Sequence, residues 1–400
     1  MINQDFKSML SGKSKIRELS EFATALGQKI GYENVFDYSL GNPSVPVVDK
    51  YNEKIIELHQ NLDSMSLHGY SPSLGNTAVR GKVAESLNKR FGTGYKTEHI
   101  FMTSGAAGAI AHAARCVTKP GDEVITFAPY FPEYQQYINR TGATLKVVPA
   151  NTENFEINFS QLDKMMNDNV QAVLINTPNN PSGIAYSEQT IIKLCDYLKQ
   201  KQEEYKHDIF IISDEPYREI AFDGKKIPYV ANYYDNTLTC YSFSKSLSLP
   251  GERIGYVAVN PRATDADIIA IICGQISRGI GHNCPASSVQ QAVAECLYET
   301  SDLSVYEKNM NLIYDELVKL GFEVIRPGGT FYIFPKALEE DANAFCDKAK
   351  NYNLILVPSD SFGVKGYFRM AYCIDTEKVK RSFEALEKFV KEEYGVEIKD

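Results

Sequence analysis

Ala172-Val173-Leu174-Ile175-Asn176-Thr177-Pro178-Asn179-Asn180-Pro181-Ser182-Gly183 is the stretch on which the fold turns. An unbroken apolar run such as 172–175 belongs to a strand buried on both faces. Two prolines and a glycine then force an irregular loop. Beyond the loop, 187–200 reads as a helix that ends in a lysine-rich stretch. Strand, loop and covering helix together form the unit of a parallel α/β sheet.

The same unit recurs on both sides. Upstream, 74–91 reads as a helix, with Val79, Val83 and Leu87 at four-residue spacing. A strand at 100–103 leads through a small-residue turn into a helix that runs through 109–116. Then come a strand at 123–127 and a helix at 133–139. Downstream, 209–213, 238–242 and 254–259 are further strands. The last hundred residues change character. They predict a long helical stretch at 287–320, strands at 322–325 and 330–334, and a helix at 342–350. Strands at 355–358 and 367–371 and a closing helix at 376–394 follow. The expected architecture is therefore α/β. A large domain (46–295) carries a mostly parallel, helix-covered sheet, and a smaller α+β domain is built from both termini (1–45 and 296–400).

Composition limits the function classes. Of 400 residues, 44% are apolar and 23% charged, ordinary values for a globular protein with a large core. A net charge of -9 lacks the basic footprint of a nucleic-acid binder. Residues 1–7 show no signal-peptide pattern, and apolar runs such as 268–273 are far too short to span a membrane. Eight cysteines are scattered without a C-x-x-C pair or a His/Cys cluster. They read as free thiols in a reducing cytoplasm, with no metal site.

Open α/β sheets bind ligands at the carboxyl ends of their strands. The first strand ends in Ser104-Gly105-Ala106-Ala107-Gly108-Ala109, where small residues and a helix start suit a phosphate, although such turns often serve packing alone. The loop quoted above would hold Asn180 rigidly, side chain inward. Ser213-Asp214-Glu215-Pro216-Tyr217 puts a carboxylate at the end of an apolar strand. There it either caps a helix or, buried, needs a cationic partner. Ser242-Phe243-Ser244-Lys245 sets a lysine just after an apolar strand, among small hydroxylated residues, where desolvation can make it an amine nucleophile. Ser242-x-x-Lys245 also fits the S-x-x-K of serine β-lactamases and penicillin-binding proteins. That reading expects S-D-N and K-T-G downstream, and neither occurs.

P-N-N-P-S-G, then S-D-E-P-Y, then S-F-S-K with an arginine eight residues on, resembles the class I aminotransferases, the fold-type I pyridoxal phosphate enzymes related to aspartate aminotransferase. The resemblance runs from Gly41-Asn42-Pro43 to Arg369. It implies pyridoxal 5′-phosphate held by Lys245 as an imine, with Lys245 later shuttling a proton. Asp214 would keep the ring nitrogen protonated. Asn180 and Tyr217 would bond the ring oxygen, and Phe131 would stack on the ring. The phosphate would rest on Gly105, Ala106 and Ala107 with Ser242 and Arg253. Arg369 would grip the substrate carboxylate, with Gly41 closing over it. Tyr70 would reach the phosphate of a neighbouring subunit, implying a homodimer with shared sites. Two positions depart from the family's habit. Ala107 lacks a hydroxyl found in several relatives, and Phe131 replaces a tryptophan, a residue this chain lacks altogether.

Arg278 resembles the position from which dicarboxylate-specific relatives reach across the dimer. The expected reaction therefore moves the amino group of an L-amino acid, aspartate or glutamate first, to a 2-oxo acid. A plain interface arginine is the competing reading. Aromatic amino-acid transamination and Cβ–S β-elimination remain open on the same scaffold. A non-enzymatic pyridoxal-binding regulator conflicts with the acidic charge.

Overall fold

The computed structural model describes Lys7 and residues 14–397. The leading residues 1–6 of the stretch read above for a signal lie outside the described residues. Twelve strands are present among the described residues: β1 (Phe36–Asp37), β2 (Ile100–Thr103), β3 (Glu123–Phe127), β4 (Thr144–Val148), β5 (Val170–Asn176), β6 (Phe210–Asp214), β7 (Thr237–Ser242), β8 (Gly255–Val259), β9 (Tyr332–Ile333), β10 (Leu354–Ile355), β11 (Val357–Pro358) and β12 (Phe368–Ala371). Seven of them form one sheet in the order β2-β8-β7-β6-β5-β3-β4. Every pairing from β7 to β4 is parallel, and β8 alone runs against its neighbours β2 and β7.

Alternation along β5 explains why the sheet is covered on both sides. Ala172 and Leu174 face the helix Gly105–Val117 through Ala109, Ile110 and Ala113. Val173 and Ile175 face the helix Glu188–Tyr205 through Ile191, Leu194 and Leu198. Burying one such aliphatic side chain stabilises the fold by about 1.5–3 kcal/mol, so neither face tolerates solvent. β5 and β6 run in register from Ala172 beside Phe210 to Asn176 beside Asp214. β6 ends with Asp214 beside Cys240, and β7 runs two residues further to Ser242. The polar ends of three adjacent strands thus reach one edge.

The C-terminal region departs from the sequence reading in three places. The helix expected over 287–320 is two helices, Ser287–Val293 and Ser304–Lys319. Between them Ser301 donates its N–H to the Ser246 carbonyl (2.8 Å), and Asp302 Oδ1 accepts from the Ser304 N–H (3.2 Å). The tether fixes the segment that joins the helices, and the polar turn at Asp302 leads into the second. Residues 322–325 are not a strand. Phe322 is buried in the core without a ladder partner, so its apolar pattern reflects burial alone. The strands expected at 330–334 and 355–358 shrink to β9 and to the separate pair β10 and β11. β11, β12 and β9 form an antiparallel sheet, and β1 pairs in parallel with β10. A core containing Tyr38 and Val45 together with residues from Tyr306 to Val390 joins the two ends of the chain. Among the described residues, no helix is long and apolar enough to cross a membrane.

Candidate active site

A cavity of about 530 Å³ opens at the carboxyl edge of the large sheet. Its wall includes Gly41, Ala106, Ala107, Phe131, Asn180, Asp214, Tyr217, Ser242, Lys245, Arg253 and Arg369. Most of the site residues read from sequence therefore meet in one place. Gly105 stands beside it at the helix start. Tyr70 and Arg278 do not line it: Tyr70 is fully exposed, and Arg278 is exposed in the last turn of the helix Ala266–Ile280.

Asp214 closes β6 with only 5% of its surface exposed. No helix begins there, so it does not serve as a helix cap. Its Oδ2 accepts a 2.5 Å hydrogen bond from the Tyr134 hydroxyl, while its buried Oδ1 has no partner. Burial raises its pKa to about 7, and the nearby Glu215 carboxylate pushes the same way. A cation placed against Oδ1 would remove that cost.

Lys245 lies in the short helix Phe243–Ser246 that leaves β7, and Ser242 caps that helix by accepting from the Ser244 N–H at 3.2 Å. The Lys245 ammonium donates to the Gly41 carbonyl at 2.8 Å and sits 5.2 Å from the centre of the Phe331 ring. Enclosure by protein lowers its pKa to about 8, and the positive Arg253 and Arg369 act in the same direction. Such a lysine is uncharged far more often near neutral pH than an ordinary one, as a nucleophile requires. Gly41 comes this close because it has no side chain. A Cβ there would collide with the Tyr332 hydroxyl.

Arg369, on β12, is 2% exposed. Its two terminal nitrogens donate to Asn180 Oδ1 (3.0 Å) and to the Ser39 carbonyl (2.5 Å), and its Nε is buried without a partner. The guanidinium centre lies 4.5 Å from the Tyr332 ring centroid. Asn180 is held in turn by its own N–H, which donates to Asn176 Oδ1 at 2.7 Å. The Asn176 amide donates to the Asp214 carbonyl at 2.9 Å. A guanidinium on the cavity wall with its hydrogen-bonding capacity not fully used suits a carboxylate.

The third corner is the start of the helix Gly105–Val117. Ser104 makes no side-chain cap, which leaves the first-turn N–H groups available. Gly105 has φ +75°, and a Cβ on it would lie 2.8 Å from Arg253 Nη2. The missing side chain lets the Arg253 guanidinium lie across the helix start, where Nη2 donates to the Ser104 carbonyl at 3.3 Å. This corner suits an anion. Among the described residues, no group of three or more His, Cys, Asp or Glu is placed to hold a metal.

A family model, aminotransferase class I and II, matches residues 33–386. The chain belongs to this family. The aminotransferase superposes on a crystal structure of an amino transferase from Eubacterium rectale with a TM-score of 0.95 and 45% identity, covering 98% of this chain and 99% of that one. Aspartate aminotransferase from Thermotoga maritima superposes with a TM-score of 0.85 at 26% identity, covering 94% and 97% of the two chains. Among curated relatives, a probable N-acetyl-LL-diaminopimelate aminotransferase of Bacillus subtilis is 28% identical over 96% of each chain. Aromatic-amino-acid aminotransferase 2 of Thermococcus litoralis is also 28% identical, over 95% and 96%.

Several site residues of the aminotransferase are absent from the sequence reading. Tyr134 follows Tyr130 and Phe131 in an aromatic-rich segment, and only the fold shows which ring reaches Asp214. Phe131 lines the cavity and meets Tyr134 edge-on, 5.7 Å between centroids. Tyr332, in Gly328-Gly329-Thr330-Phe331-Tyr332, brings its hydroxyl within 3.2 Å of the Tyr217 hydroxyl. The adjacent glycine pair was the available signal. Ile16, Arg17, Glu133 and Tyr137 also line the cavity.

Proposed function

We propose that this aminotransferase uses pyridoxal 5′-phosphate to move the amino group of an L-amino acid, aspartate or glutamate first, to a 2-oxo acid. The observation that carries the cofactor reading is the buried Asp214 Oδ1 without a partner, in one cavity with the half-buried Lys245 amine. The three corners fit the group. Asp214 would meet the ring nitrogen, Asn180 and Tyr217 the ring oxygen, and Phe131 a ring face. The uncapped N–H groups of Gly105, Ala106 and Ala107, with Ser242 and Arg253, would take the phosphate. When bound, the cofactor supplies an electron sink conjugated to the substrate amine.

The protein's own residues do the rest. Asp214 stays ionised by keeping a proton on the nitrogen opposite it. Lys245, half in its uncharged form near pH 8, would attach the cofactor and then carry a proton at the substrate α-carbon. Arg369 would orient the α-carboxylate through its guanidinium, backed by Asn180 and by the Gly41 approach. We place the large unit at 46–295 and the small unit in the described residues of 1–45 and 296–400, with the cavity between them. A cytoplasmic location accords with the eight free cysteines.

A homodimer with shared sites accords with Ile268, Ile271, Ile272 and Ile280, all exposed on the helix that ends near Arg278, and with the fully exposed Tyr70. In that assembly Arg278 would read the distal carboxylate and Tyr70 the phosphate of the partner's site. A half-reaction screen tests this. Holoenzyme mixed with L-aspartate or L-glutamate should form pyridoxamine phosphate and the matching 2-oxo acid without ammonia. Arg278→Ala should lower kcat/KM for both by roughly 100-fold or more and leave a neutral amino acid within about threefold. Ammonia and pyruvate formed from an amino acid with a Cβ–S bond, the sulfur leaving as a thiol, would point to elimination. Equal losses on all substrates would remove Arg278 from specificity.

A further inference from the structure

Ser213-Asp214-Glu215-Pro216-Tyr217-Arg218-Glu219 presents two faces. Asp214 and Tyr217 face the cavity, while Glu215, Arg218 and Glu219 lie behind it. Glu215 (2% exposed) and Arg218 (5%) form an ion pair of 2.8 Å. Glu215 also accepts from the Ser213 hydroxyl at 2.7 Å. The Arg218 fork donates to the Tyr256 hydroxyl at 3.0 Å, and its guanidinium centre lies 4.3 Å from the Tyr241 ring centroid. Glu219 is bound by Arg90 at 2.6 Å. The Tyr241 hydroxyl stands 3.1 Å from Glu219 and 2.9 Å from Ser246 Oγ, next to Lys245.

Two carboxylates and two guanidiniums thus balance, with Glu215 and Arg218 buried, Glu219 half-buried and Arg90 exposed, and the chain of contacts runs from Asp214's neighbour to Lys245's neighbour. Burying the Glu215–Arg218 pair is costly, and hydrophobic side chains of similar volume would fold as well. The cluster is better explained by what it borders. Glu215 is one of the charges that act on Asp214. We propose that Arg218 is a positioning residue that cancels the Glu215 charge beside Asp214 and ties the Asp214 turn to the Lys245 turn through Tyr241 and Ser246. The inference rests on the cofactor reading above. With Arg218 in place, Asp214 responds to the cofactor rather than to the carboxylate next to it.

Opposite charge changes give opposite signs, which a purely structural role would not do. In holoenzyme, the pH midpoint of the bound cofactor's visible absorption is the readout. Arg218→Met removes one positive charge and should raise the midpoint by about 0.5–1 unit, whereas Glu215→Gln removes one negative charge, with Arg218 still beside Glu219 at 3.5 Å, and should lower it by a similar amount. Arg218→Lys keeps the charge and should return the midpoint to within about 0.3 unit of wild type. Arg218→Met should also lower kcat about tenfold with KM within about threefold, as expected of misplaced groups. The groups that face Asp214 and Lys245 directly (Tyr134, Tyr217, Cys240, Cys373, Arg253 and Arg369) are unchanged in every variant. So are Arg90, Tyr95, Tyr229, Tyr241 and Tyr256 around the cluster. Midpoints that stay within about 0.2 unit of wild type, or that move in the same direction, would overturn the proposal. If Arg218→Met does not fold, the downward shift in Glu215→Gln decides alone. A wild-type protein that binds no pyridoxal phosphate would overturn the cofactor reading and this inference with it. Normal wild-type binding with unmoved variants overturns only the inference.

Discussion

Lys245→Ala will lower kcat by at least about 10⁴-fold, because one amine supplies both nucleophilic attachment and proton transfer, and acid–base catalysis alone is worth about 10²–10⁴. The fold should survive, since the Lys245 amine is tied to the protein through a hydrogen bond to the Gly41 carbonyl rather than through an ion pair. Borohydride should no longer fix the cofactor to the protein, while the helix start and Arg253 still hold its phosphate noncovalently. A small added amine should restore part of the rate by entering the vacated space. Steady-state kinetics with and without the amine, and circular dichroism of the variant, check these outcomes. A variant with undiminished turnover and a borohydride-fixed cofactor would remove Lys245 from the chemistry.

Asp214→Asn should show two effects of opposite sign. A carboxyl whose pKa is raised on folding, here from 3.8 to about 7, holds its proton more tightly in the native state. The apoprotein therefore loses stability as pH rises across that interval. An amide does not ionise, so the substitution should raise the apoprotein Tm at pH 8. In the holoenzyme the same change removes the carboxylate placed for the ring nitrogen. It should lower kcat by roughly 10³-fold, the size of a lost preorganised electrostatic partner, and weaken cofactor binding. Calorimetry of both forms, with kinetics, tests the pair. A lower apoprotein Tm with unchanged kcat would show that Asp214 is a structural residue held by Tyr134.

The large sheet was legible because its parallel strands are buried on both faces, which leaves runs such as 172–175 that no exposed element would carry. β4 escaped notice for the opposite reason. It is an edge strand, and Thr144-Leu145-Lys146-Val147-Val148 mixes exposed and buried positions. The small sheets were blurred because β9, β10 and β11 are two-residue strands defined by partners far along the chain. The segment that joins the helices Ser287–Val293 and Ser304–Lys319 is tied to Ser246 by Ser301, a contact that no local pattern encodes.

Within the site, residues at strand ends were legible by position. Tyr134 and Tyr332 were not, because aromatic residues in a core and in a cavity wall look alike in sequence. Tyr70 and Arg278 belong to a different case. They stand exposed, and their proposed roles require a second copy of the chain.

Reductive trapping of the apoprotein tests the central claim most directly. Apoprotein incubated with pyridoxal 5′-phosphate, reduced with borohydride, digested and mapped by mass spectrometry should carry one label, on Lys245. Its trapping rate should rise through a midpoint near pH 8, because burial lowers that amine to about 8 and the free base is the reactive form. A label on another lysine, or a rate still climbing toward the pH range of an ordinary solvated lysine, would contradict the account.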